Sequence, residues 1–328
     1  MNHVFRCDAL GTDVTRMFPD RVRHKTFVLA GLVRGALAAT TADALTHAGA
    51  GCIIFTGRSQ PELQSVIDHI NRKHPQAKII FITADTGSLD SMHAAAKTIK
   101  DLDVPIDGIV AFPSVMAAAW ELTPDGIESH FQKNYLSYFL LINRLLDSMS
   151  AGSRVVLLTT SVRREAPVPK WEDVNFSNGE TYHSLDGYAQ SMFANILLAK
   201  SLAQKCLGRS IAAFSANPGN TKTNIQTKVS QDEVSSWLQR KKEAGEDLPI
   251  LLQQEPKSLA QGSATVLRGL LDPILEEQSG AFLDNSQVLT LPSLDFPAGE
   301  ESATALWRLS DKLIVEGTGS QREEVHDQ

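Results

Sequence analysis

The chain has 328 residues, of which 42% are hydrophobic and only 6% aromatic, enough to bury one large core. Its 31 basic and 38 acidic residues leave a net charge of −7 with no basic cluster, so it lacks the footprint of a protein that binds nucleic acid or an anionic membrane. Cys7, Cys52 and Cys206 are too few and too scattered for a disulfide framework, and the charged N-terminus offers no apolar run for a leader or an anchor. The expectation is a soluble, cytoplasmic protein that works on a small hydrophobic molecule, without metal, membrane or nucleic acid, as a monomer or homodimer.

Residues 1–24 read as an N-terminal extension. From there, short β-rich runs alternate with longer segments of helical period. Strands are predicted at 26–30, 52–56, 78–83, 108–112, 154–159, 211–216 and 280–283; helices at 36–48, 61–73, 88–100, 123–149, 185–205, 257–271 and 301–315. This pattern predicts an α/β fold, a doubly wound, Rossmann-type parallel sheet of about seven strands with helices on both faces, forming one domain over 25–315. The polar segment 223–256 interrupts it, with Trp237 and an Arg240-Lys241-Lys242 run ahead of Ile250-Leu251-Leu252. It reads either as a lid over a pocket or as a surface helical insertion. Residues 316–328 are polar and aperiodic, as in a disordered tail.

The first strand runs into Ala30-Gly31-Leu32-Val33-Arg34-Gly35-Ala36-Leu37 and then a helix, the context of a dinucleotide-binding turn in which glycine lets backbone approach a diphosphate. Two glycines four apart also suit an ordinary tight turn. The second strand ends in Thr56-Gly57-Arg58; an arginine there suits a 2′-phosphate, where an acidic residue suits the free ribose hydroxyls of NAD, and Arg34 stands ready to join it. The third ends in Ala84-Asp85-Thr86, whose aspartate reads as an adenine acceptor or as a turn former.

Strand, glycine turn, Arg58, Asp85, a tyrosine on a helix and Asn217-Pro218-Gly219 together resemble a short-chain dehydrogenase/reductase. Asp173-Val174-Asn175-Phe176, Thr181-Tyr182, Tyr188-Ala189-Gln190-Ser191 and Gly280-Ala281-Phe282-Leu283 are similar to its retinol-dehydrogenase-like branch, particularly the fungal members. The likeness covers residues 18–315. It implies NADP(H) as the cofactor, with Gly31, Arg34, Gly35, Arg58, Asp85, Pro218, Gly219 and Thr223 as cofactor-binding positions. It also implies Tyr188, Thr160 or its neighbour Ser161, Asn134 and Tyr182 as catalytic positions, Asn134 being matched to the family asparagine that supports a proton-relay water.

The chain departs from that family where the chemistry is densest. The glycine turn has Ala30 for the family's threonine and Leu37 for its last glycine, which adds bulk near the phosphate. The fourth strand ends Ala111-Phe112-Pro113-Ser114 in place of Asn-Asn-Ala-Gly, a more apolar and stiffer floor. The family's Tyr-x-x-x-Lys becomes Tyr188 followed four residues on by Met192, on the same helix face but without the ammonium that lowers the phenol pKa. Tyr188 should then stay a neutral donor, useful toward a carbonyl and poor as a base. Other polar groups near enough in sequence to act are His183, Asp186, Arg163, Arg164 and Lys222, each also plain as a loop or solvated residue; Phe112, Met116, Trp120 and Trp237 suit either an apolar pocket or the core.

Three functions follow from this degenerate site. The first is a non-redox enzyme that cyclises, isomerises or eliminates on a hydrophobic natural-product intermediate, using neutral hydrogen-bond donors. The second is an NADPH-dependent carbonyl or imine reductase of secondary metabolism. The third is a non-catalytic homologue that binds a ligand or a partner.

Overall fold

A computed structural model describes residues 5–160, 169–224, 229–243, 255–289 and 299–317. The strands are β1 (Thr26–Ala30), β2 (Cys52–Gly57), β3 (Lys78–Thr83), β4 (Ile106–Ala111), β5 (Met149–Leu158), β6 (Ala212–Asn217), β7 (Phe282–Asp284) and β8 (Gln287–Leu289). They form one sheet in the order β3-β2-β1-β4-β5-β6-β7-β8, parallel through β7. The eighth strand, absent from the sequence reading, pairs antiparallel with β7. At three residues it carries too little periodicity to be seen, and it returns through Asn285 and Ser286, both at positive φ.

The helices are α1 (Gly11–Met17), α2 (Leu37–His47), α3 (Gln60–Lys73), α4 (Leu89–Lys100), α5 (Ser137–Leu145), α6 (Ser184–Lys205), α7 (Gln231–Glu243), α8 (Leu259–Leu271) and α9 (Glu300–Gly317). Alternate residues of each central strand feed the two faces. Val28 and Ile54 pack into one apolar layer with residues of α4, α5, α6 and α9, while Phe27, Leu29, Ile53 and Phe55 pack into the other with α1, α2, α3 and α8. Both faces being covered, β1 and β2 are buried at every position, which is why they read as continuous apolar runs.

Three expectations change. The stretch read as an N-terminal extension includes α1, whose Val14 is fully buried and whose Gly11 lies against Ser263 and Leu267 of α8. The helix read over 123–149 is broken. Thr123-Pro124-Asp125-Gly126 makes a turn in which the Gly126 amide donates to the Thr123 carbonyl, since proline, aspartate and glycine favour reversal over helix. Only then come a short turn, Ser129–Phe131, a π turn, Gln132–Leu136, and α5, and β5 already begins at Met149. Finally, helical structure continues to Gly317, past the expected start of the tail; residues 318–328 lie outside the described ones.

Strand order reverses between β1 and β4, so their carboxyl ends open a crevice where doubly wound sheets bind ligands. Among the described residues no helix is long and apolar enough to cross a membrane, and no three His, Cys, Asp or Glu side chains gather as a metal site.

Candidate active site

The crevice begins at Gly31, directly after β1. Its φ of +101° is open to glycine, and a β-carbon there would stand 2.5 Å from both the Phe112 carbonyl oxygen and the Tyr138 hydroxyl, so β1 and β4 can close up only without a side chain. Tyr138 donates to that same carbonyl at 3.0 Å, fixing the end of β4. Gly35 (φ +69°) turns the chain into α2, whose first residues follow Ala36, a cap with no side-chain oxygen to satisfy the helix amides. The turn therefore leaves backbone N–H groups for an anion such as a diphosphate. Asn224 lies across it, donating from Nδ2 to the Arg34 carbonyl at 2.9 Å.

The bulk expected from Leu37 is absorbed elsewhere. Its side chain is buried and packs toward Gly262 of α8, where a β-carbon would meet Leu37 Cδ2 at 3.0 Å and Thr221 Cγ2 at 2.7 Å. Leucine at the last turn position is thus accommodated by glycine on the neighbouring helix, although it still lines the cleft.

From this turn a cleft of about 960 Å³, counted to its open mouth, runs to Tyr188 and Met192. Gly31, Thr160, Tyr188, Pro218, Gly219 and Thr223 all line it. Apart from the Tyr188 phenol, none of the described residues lining it has an ionisable side chain.

Tyr188 is buried, and burial pushes its phenol up to about 12, against which a hydrogen bond with Thr160 works in the opposite direction. Among the described residues no cation shifts it. One turn on, Met192 is buried in an apolar cluster with Tyr188, Ala117, Leu185 and Trp237. Trp237 comes from α7, which lies within the 223–256 segment, and α7 is clamped onto α6 by a two-pronged ion pair from Arg240 to Asp186 at 3.0 and 3.1 Å. Ser161, Arg163 and Arg164 lie outside the described residues.

Two residues expected at the reacting centre stand behind it. Asn134 is fully buried in the π turn, does not line the cleft, and spends its side chain on the Val115 backbone, accepting from the amide at 3.1 Å and donating to the carbonyl at 2.8 Å. Its own carbonyl, freed by the π turn, accepts from Asn195 at 3.1 Å. Tyr182 donates to the Ala118 carbonyl at 2.8 Å and lies 2.9 Å from His130 Nδ1. Burial, reinforced by the Glu128 charge, raises its phenol well above the ordinary range.

The two arginines expected at the cofactor are exposed. Arg34 donates to Ser65 at 3.0 Å, and Arg58, following β2, makes no ion pair among the described residues. Asp85 behaves as a turn former, its Oδ1 accepting from the Gly87 amide at 2.8 Å. Lys222 is exposed, and His183 caps α6 by accepting from the Leu185 amide.

Glu128, His130 and Asn224 escaped the sequence reading. The first two lie within the stretch read as one helix, and nothing local marks them: His130 meets Tyr182 across 52 residues.

Residues 25–173 match the model of the short chain dehydrogenase family. The chain is 30% identical over 236 residues to an oxidoreductase of Fusarium equiseti, fscI, covering 63% of this chain and 91% of that one. It is 29% identical over 283 residues to the human WW domain-containing oxidoreductase, covering 82% of this chain but 63% of that protein's length. Among solved structures, a Mycobacterium paratuberculosis protein superposes with a TM-score of 0.67 at 22% identity, over 89% of this chain and 94% of that one. A Serratia marcescens short-chain dehydrogenase/reductase gives 0.60 at 19%, over 80% and 97%. With its crevice at the β1/β4 reversal, a glycine turn on one side and a helical tyrosine on the other, the chain belongs to the short-chain dehydrogenase family.

Proposed function

We propose that this chain is an NADP(H)-dependent reductase of an uncharged, apolar carbonyl or imine compound, of the retinol-dehydrogenase-like kind, in which Tyr188 serves only as a neutral donor. The observation that carries this reading is the Tyr188 phenol, kept protonated by burial, at one end of an uncharged cleft whose other end is the Gly31–Gly35 turn.

The residues present fit the cofactor. Glycines at positive φ and an uncapped helix N-terminus suit a diphosphate, and Arg58 and Arg34 stand at the β2 end where a 2′-phosphate would lie. When bound, the reduced nicotinamide would supply the hydride. Tyr188 and Thr160 then present two hydroxyls to the substrate oxygen, where negative charge develops. The phenol passes its proton to that oxygen and regains one from solvent at the open mouth. This direction needs no lysine, because the donor form is the resting form. The reverse needs phenolate, of which a group at about 12 holds only about 10⁻⁵ at pH 7. Alcohol oxidation should therefore be slow. The lining asks for a substrate with no charge, since nothing in it would offset the cost of desolvating one.

Met192 favours a second reading, in which the same two hydroxyls polarise a substrate without redox change, promoting cyclisation, isomerisation or elimination. Titrating NADPH fluorescence with purified protein, then following NADPH consumption over a panel of neutral apolar ketones, separates the two. Saturable binding with one NADPH consumed per product supports the reductase. Absence of binding, or product formed without consumption, overturns it in favour of the second.

A further inference from the structure

Behind the cleft wall lies a polar assembly, buried at its centre, that the reaction just described does not use. Glu128 and His130 have no exposed surface, an expensive place for a carboxylate unless its oxygens are taken up. They are. Glu128 Oε1 accepts from the His130 amide at 2.9 Å and faces His130 Nδ1 at 3.0 Å, while Oε2 accepts from the Phe131 amide at 2.8 Å.

The hydrogens can be placed by elimination. The Ala118 amide donates to His130 Nε2 at 3.3 Å, so that nitrogen carries the lone pair and Nδ1 the proton, shared between Glu128 and the Tyr182 oxygen. Tyr182 in turn donates to the Ala118 carbonyl. Both backbone groups of one residue, Ala118, are thus held by the assembly, and both of Val115 by Asn134. Between these anchors sits Ala117 at φ +49°, a conformation alanine keeps only where its surroundings impose it. Ala117 belongs to the same apolar cluster as Tyr188, and Ser114 and Met116 line the cleft. The His130 ring stands edge-on to the Tyr188 ring at 6.2 Å. Gly187 makes room for this, since a β-carbon there would come 2.7 Å from the Tyr182 ring and 3.3 Å from His130 Nδ1.

Resting on the reductase reading, we propose that Glu128, His130 and Tyr182 are positioning residues that hold the 113–118 wall, and with it the apolar half of the substrate, against Tyr188. Substrate fit, not proton transfer, is their concern, because the assembly meets Tyr188 at its ring and leaves its hydroxyl to Thr160.

Two substitutions test this in the full-length protein. Tyr182→Phe removes the hydroxyl at constant ring size; His130→Gln keeps an acceptor for Ala118 and loses the Nδ1 donor. Amide hydrogen exchange over residues 113–120 should quicken by about tenfold in Tyr182→Phe, with less change in His130→Gln, while β5 and the C-terminal half of α6 keep wild-type protection. KM for the best neutral ketone should rise by about fivefold or more with kcat within about threefold, and NADPH affinity should be unchanged. Unaltered exchange at 113–120 in both variants, a fall in kcat at constant KM, or loss of protection throughout the molecule in both would overturn the proposal. If the wild-type protein neither binds NADPH nor reduces ketones, the reductase reading fails, and the exchange measurement alone decides the role of the assembly.

Discussion

Tyr188 and Thr160 share a hydrogen bond in the cleft, and among the described residues no cationic group perturbs the phenol. In that setting the pair is a donor site whose charge state should not change over the physiological range.

All four tyrosines share this resistance to ionisation. Burial pushes Tyr135 and Tyr138 far up as well, and burial with the Glu128 charge does so for Tyr182. A phenol with a raised folded pKa stabilises the fold fully below about pH 10, and that contribution is lost as pH climbs toward the folded value, here about 12 for Tyr188. Absorbance at 295 nm should therefore stay flat at pH 10.5, where exposed tyrosines would be largely ionised, and then rise in one cooperative step with loss of circular dichroism. A gradual rise centred near pH 10 would contradict the burial argument.

Met192→Lys places an ammonium one helical turn from Tyr188 and should draw the phenol pKa down. For a reductase, alcohol oxidation should gain by about 10²-fold or more, and the alkaline limb of its pH profile should move downward. Burying that charge should also cost about 1–3 kcal/mol in stability, visible as a lower Tm. A variant with wild-type oxidation rates would mean that Tyr188 is not the acid–base group.

Arg58→Asp should reverse cofactor preference. With no acidic partner among the described residues, Arg58 is free to meet a 2′-phosphate, and its loss should weaken NADPH by about 10- to 100-fold while NADH gains. Fluorescence titration with both nucleotides at two salt concentrations measures this, and equal losses for both would remove Arg58 from the site.

Gly262→Ala tests how Leu37 is housed. Alanine favours helix, but the added carbon would press on the stiff, buried Thr221 side chain, 2.7 Å from its Cγ2 and closer still to its hydroxyl, and stand 3.0 Å from Leu37. The clash should outweigh propensity, lowering stability by about 1–2 kcal/mol and weakening NADPH by pushing the Thr221 loop toward the glycine turn. Unfolding and titration read the two effects separately. A stabilised protein with unchanged affinity would show that Leu37 has room to spare.

The order of strands and helices and the location of the glycine turn were legible in the linear chain, because each depends on residues within one element or at one strand end. Apolar runs such as Thr26–Ala30 mark strands buried on both faces, and Tyr188 and Met192, four apart, share a helix face whatever surrounds it. The break at residues 123–128 was written there as well, in Pro124-Asp125-Gly126, and was outweighed by the apolar period that follows. What only the tertiary structure decided was the company each polar group keeps. Asn134 and Tyr182 turn from the cleft to hold the backbone of Val115 and Ala118, Gly262 takes up the bulk of Leu37, and His130, bonded to Glu128, meets Tyr182 across 52 residues. Hydrogen bonding and desolvation act over a few ångströms in space, so a residue's chemical role stays open until the fold supplies its neighbours.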